Sequence, residues 1–80
     1  SVMAVKNNSG LITLKGTVKV DSGELIIELT DPDGIPVFSM HSFFPGIFDI
    51  SKTFSTKKGY WKLQYTSLNG EGVIDLDLVQ

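Results

Sequence analysis

Apolar and polar residues alternate along this chain in short runs, and Gly, Pro, Asp or Asn closes each run. Ile12, Leu14, Val18 and Val20 alternate with Leu11, Thr13, Lys15, Thr17 and Lys19; Leu25, Ile27 and Leu29 alternate with Glu24, Ile26, Glu28 and Thr30; Ile74, Leu76 and Leu78 alternate with Asp75 and Asp77. Successive side chains of a strand point to opposite faces, so a period of two marks one buried and one wet face. The pattern predicts strands over about 11–20, 24–30, 35–40, 47–54, 60–67 and 73–79, with residues 1–10 a flexible lead-in or short edge strand. Gly16 inside the first long run predicts a bulge, or a bend where the strand curves over the core. Asp21-Ser22-Gly23 and Leu68-Asn69-Gly70-Glu71-Gly72 read as hairpin connections, Asn7 to Gly10 as a loop, and Asp31-Pro32-Asp33-Gly34 as a β-turn. Pro36 lacks an amide donor, so its strand is expected to start at a sheet edge or to leave one backbone position unpaired. Six or seven strands at this spacing suit two packed antiparallel sheets, an all-β sandwich of immunoglobulin-like or jelly-roll type. Its expected core is Ile12, Leu14, Val18, Val20, Leu25, Ile27, Leu29, Trp61, Leu63, Tyr65, Ile74, Leu76 and Leu78.

Length and composition narrow the function classes. Eighty residues make one domain, with a thin core and little room for a deep pocket. A net charge of −2 does not dictate a partner. All seven basic residues are lysines; without the arginine fork that reads phosphate and guanine, nucleic acid is not an expected partner. The absence of cysteine excludes disulfides, thiolate catalysis and thiolate metal sites. No apolar run is long enough for a membrane-spanning helix. No secretory signal is visible, and the chain begins without Met, so a processed or trimmed fragment is expected, one from which a leader or lipid-anchored start could have been removed.

Each candidate for chemistry competes with a structural role. Asp31 and Asp33 form a D-x-D-G segment like part of a calcium loop, yet no further carboxylate follows until Asp49; the turn reading is the stronger, and no metal or cofactor is expected. His41 is the only histidine, near Ser39 and Ser42, and sequence proximity does not make a triad. Asp75 and Asp77 share a strand face and read as its solvated side, and Lys57-Lys58 reads as a solvated loop tip. Phe43 and Phe44 fall in a loop where both are hard to bury. Either they fold back to plug the end of the sandwich, or one lies exposed beside Tyr60, where it could anchor a partner or stack on a sugar. Phe43, Phe44 and Tyr60 are thus the expected contact residues.

Three segments together resemble a known class: Leu29-Thr30-Asp31-Pro32-Asp33-Gly34-Ile35-Pro36-Val37, Gly59-Tyr60-Trp61-Lys62-Leu63-Gln64-Tyr65 and Asn69-Gly70-Glu71-Gly72-Val73-Ile74-Asp75-Leu76. Their order is similar to small β-sandwiches appended to secreted bacterial proteins, such as bacterial pre-peptidase C-terminal domains and the P domain of subtilisin-like convertases, and to small domains of Gram-positive lipoproteins. The calcium ligands of some P domains do not map onto this chain. The resemblance implies an extracytoplasmic setting, lipid-anchored at the cell surface or secreted. It also implies a non-catalytic accessory role toward an unidentified protein or cell-envelope component. The expected domain is a monomer, and the alternative function is a carbohydrate-binding module using Phe43 and Tyr60.

Overall fold

A computed structural model describes residues 2–6 and 10–80; Asn7 to Ser9 of the expected loop lie outside the described residues. The chain is all-β, with no helix among those residues and so none long and apolar enough to cross a membrane. Five antiparallel strands form one sheet: β1 (Val2–Val5), β2 (Leu11–Thr30), β3 (Pro36–Ser42), β4 (Gly46–Ser55) and β5 (Gly59–Val79). β2 is the spine. One of its edges pairs with β5 over most of its length, from Thr13↔Val79 to Thr30↔Lys62. Its other edge pairs with β4 through the first half, Leu11↔Ser55 to Val20↔Gly46, and with β3 through the second, Leu25↔Ser42 to Thr30↔Pro36. β1 pairs with the start of β5, Val2↔Lys62 to Val5↔Gly59.

Two of the expected hairpins are therefore absent. Residues 11–20 do not pair with 24–30, nor 60–67 with 73–79; each pair of runs belongs to one long strand. A straight strand of twenty residues would span roughly 65 Å, but the whole molecule measures 39 Å along its longest axis. β2 and β5 must bend. They do so together where the register shifts between Val20 and Ser22 and again between Ser22 and Glu24. Val20↔Gly72 pair on one side of the bend and Glu24↔Leu68 on the other, so both strands cross it with equal length. The crossing moves the core face from even positions (Val18, Val20) to odd ones (Leu25, Ile27). Glycine permits this corner: a Cβ on Gly23 would lie 2.4 Å from the Gly70 Cα, and one on Gly70 would lie 2.4 Å from the Ser22 carbonyl.

The bend gathers apolar side chains from both halves into one cluster. Ile12, Leu14, Val18 and Val20 from the first half of β2 join Leu25, Ile27 and Leu29 from the second, with Trp61 and Leu63 of β5. Val5 and Ile50 also belong to it, beyond the expected set. Ile74, Leu76 and Leu78 pack against it half-buried. Tyr65 does not belong: it is 54% exposed. β3 sits on an edge, the first of the two readings of Pro36, with a register shift at Leu29/Thr30. Gly16 makes no bulge, since its pairing with Ile50 and Leu76 continues the register on both sides.

Candidate functional site

Two polar and aromatic clusters lie at opposite ends of the bent sheet. The first is the D-P-D-G turn. Asp31 accepts the Gly34 amide through its carbonyl at 3.0 Å, and its Oδ1 accepts the Asp33 and Ile35 amides at 2.9 Å each. Its side chain is 2% exposed, and its Oδ2 accepts the Lys57 ammonium at 3.0 Å. Lys57 also donates to Asp33 at 3.1 Å. The cation between these two carboxylates is thus a lysine of the chain itself, and Lys57 is not the solvated tip expected. Lys57 is a junction in its backbone too: its carbonyl accepts the Trp61 indole at 3.0 Å, while Thr56 donates its amide and hydroxyl to the Gly10 carbonyl. The segment before β2, the turn after it, the β4–β5 loop and the core indole are tied together here. This is a clasp, and its geometry is structural.

The amide of Ile35 above all, opposed in part by burial and aided by Lys57 and the Asp33 amide, holds the Asp31 carboxyl below its usual 3.8. The hydrogen bonds to Asp31 and Asp33 raise Lys57 above its usual 10.5. A depressed carboxyl stabilises the fold above its unfolded pKa, and that contribution is lost as pH falls through the lower folded value. A raised amine stabilises below its unfolded pKa, and the contribution is lost as pH rises through the higher folded value. Melting temperature should therefore hold a plateau between about pH 4 and pH 10 and fall at both ends. Asp31→Asn should lower the plateau and flatten the acid limb. Thermal melts across pH check this, and an unchanged acid limb would remove Asp31 from the role.

The second cluster is the break between β3 and β4. Ser42 is buried and donates its hydroxyl to the Phe44 carbonyl at 3.1 Å, which fixes the turn-out of the chain. Glu24 Oε1 bonds His41 Nε2, and the His41 ring lies 4.1 Å from that of Phe43, tilted by 36°. His41 and Glu24 thus brace Phe43 from one side. Phe43 is 58% and Phe44 75% exposed, so the segment does not fold back as a plug. With Met40, His41, Pro45 and Phe48 they line a shallow recess. Ile47, also exposed, follows.

Tyr60 is exposed but not beside Phe43. It pairs with Ala4 at the clasp end, whereas Ser42 pairs with Leu25 beside the bend. Five residues of β2, about 17 Å, separate Leu25 from Thr30, which pairs with Lys62. The three expected contact residues are therefore divided, two at one end and one at the other.

His41 has its carboxylate partner, and the neighbouring Ser42 hydroxyl is turned to the Phe44 carbonyl. Asp75 and Asp77 are exposed on the outer face, opposite Thr17 and Lys15. Among the described residues no three His, Asp or Glu side chains gather where a metal could sit. The brace of Phe43 by His41 and Glu24 was missed from sequence, because 17 residues separate the pair and only the β2–β3 register joins them. Comparison with protein-family models, curated protein sequences and solved structures finds no match to this chain.

Proposed function

We propose that this domain is a non-catalytic contact module that engages a protein or cell-envelope component through Phe43 and Phe44. The observation that supports this reading is a braced aromatic tip: two phenylalanines more than half exposed, one of them held by the His41–Glu24 pair. Water-exposed aromatics cost solvation and gain it back when a partner covers them. A ring already held in place loses less entropy on binding. In this reading the bent sheet is a two-layered sandwich, with the β4-bearing half packed over the β3-bearing half and the tip at its fold. The setting we propose is extracytoplasmic, on a bacterial surface or secreted protein, in keeping with the cysteine-free composition and the resemblance described above.

Phe43→Ser with Phe44→Ser should leave melting within the range of ordinary surface changes, about 0.5 kcal/mol, and abolish partner contact. A photo-crosslinking residue at position 44 of the parent protein, on intact cells, should give adducts that vanish with Phe43→Ser. Adducts from position 60 alone, or from neither, would overturn the proposal. The carbohydrate reading loses its paired platform, because Tyr60 lies at the other end. Polysaccharide retention that disappeared with Phe43→Ala would restore it.

A further inference from the structure

The sheet has several free edges among the described residues, and β1, β3 and β4 each carry a recognisable guard against pairing with another chain. Natural edges are blunted by short strands, proline, charged side chains, bulges, or a charge on the core-facing side. β1 is four residues long. β3 opens on Pro36. β4 carries Lys52, which lies directly opposite the buried Leu14 and so stands in the core-facing register. The second half of β5, Gly72 to Val79, is neither short nor interrupted by proline, and it has no core-facing charge; its only charges are Asp75 and Asp77, both acidic and on the outer face. Its sequence holds neither lysine nor proline, it runs for roughly 26 Å, and among the described residues no strand pairs with its far side. Ile74, Leu76 and Leu78 remain half-buried at the rim of the core, and Asp75 and Asp77 stand exposed on the outer face.

The charges on this edge select what joins it. Two copies pairing antiparallel about Leu76 would set Asp75 opposite Asp77 twice, and like charges directly opposite destabilise a pair. A strand with basic residues at alternate positions gains from the same two carboxylates. The fold already contains such a neighbour on the other side: β2 places Lys15 opposite Asp77 and Thr17 opposite Asp75, with Leu14 and Val18 turned inward. We propose that the Gly72–Val79 edge is a strand-addition site for an extended peptide segment of a partner protein, one that alternates Lys or Arg with apolar residues. Backbone hydrogen bonds would supply affinity and Asp75 and Asp77 the selection. The surface is separate from the aromatic tip.

The test is a titration of the labelled domain, followed by amide NMR, with a capped peptide alternating Lys and Thr with Val, and with its Lys→Glu counterpart. Expected are shifts and slowed amide exchange within residues 72–79 for the Lys peptide, weakened by added salt, and affinity at least about tenfold lower for the Glu peptide. Asp75→Asn with Asp77→Asn should remove that discrimination, and Asp75→Lys with Asp77→Lys should reverse it. The neutral pair guards against repulsion from Lys15 disturbing the fold. Equal binding of both peptides, shifts at residues 46–55 or 43–44 instead, no shift at millimolar peptide, or sedimentation showing self-association that Asp75→Lys abolishes would each overturn the proposal. Loss of crosslinks at position 44 leaves these readouts unaffected, so the two surfaces fail or stand separately.

Discussion

Trp61→Ala should remove a large share of the domain's stability. Trp61 is the largest fully buried side chain, 1% exposed, and no neighbour can fill its volume. Its ring faces Phe54 at 6.4 Å, which joins β5 to β4 across the core. Its indole also satisfies the Lys57 carbonyl. Truncating a buried tryptophan costs about 3–5 kcal/mol from lost burial and the cavity left behind. A domain of this length holds about 4–12 kcal/mol in all, at the usual stability per residue. The mutation thus removes a large share of the margin, and the orphaned carbonyl adds to it. Trp61→Phe keeps most of the ring and should cost less. Far-ultraviolet circular dichroism melts rank the two, and a Trp61→Ala midpoint within a few degrees of wild type would contradict the core as described.

Gly16→Ala should be the most damaging single-methyl addition in the chain. Gly16 lies mid-strand in β2 with φ at +148°, between Ile50 and Leu76. A Cβ there would fall 1.9 Å from the Asp75 carbonyl oxygen and 2.9 Å from the Leu76 Cα. Both are backbone atoms of the neighbouring ladder, so relief requires parting β2 from β5 rather than turning a rotamer. Overpacking and an unfavourable φ together suggest a loss of about 3 kcal/mol or more. Gly34→Ala is the control: its φ is +82°, but nothing lies within 4 Å of the added carbon. That change should cost only about 1–2 kcal/mol, the penalty of a Cβ at positive φ. Hydrogen exchange should also speed up at residues 74–77 in Gly16→Ala alone. Equal melting losses for the two variants would show that the strands do not approach so closely.

Much of the strand pattern was legible because burial on one face leaves a period of two. That reading located Ile12 to Val20 and Leu25 to Leu29 as core runs, the turn at Asp31, and an edge as one of two readings of Pro36 in β3. It could not show that two runs form one strand. Asp-Ser-Gly and Asn-Gly-Glu-Gly serve a hairpin and a bent strand equally well, because both need glycine and tight backbone approach. The deciding fact is which edge each run pairs with, and that is set by β5, some fifty residues further on. The shift of the core face from Val20 to Leu25 was the one local trace of the corner. Tyr65 continues the alternation of Trp61 and Leu63, but its neighbour Ile27 is buried while it is left at the rim, 54% exposed.

The clasp and the tip show the same limit for polar groups. Asp31 as a turn residue was readable from the amides it can cap. Its second partner was not, since Lys57 lies 26 positions away and arrives only because the strands fold back. Likewise Phe43 and Phe44 announced themselves as aromatics in a loop, while the brace that holds Phe43 depends on register.

The bend of β2 is the central claim, and one distance tests it. The chain has no cysteine, so spin labels can be placed at Leu11→Cys and Ile35→Cys, both exposed positions. The links from Gly10 to Thr56 and from Lys57 to Asp31 hold the two ends of β2 near one another. Pulsed electron–electron resonance should give a single narrow distribution centred below about 30 Å, allowing for label length and side-chain reach. A distribution centred beyond about 50 Å, as a straight twenty-residue strand requires, would contradict it.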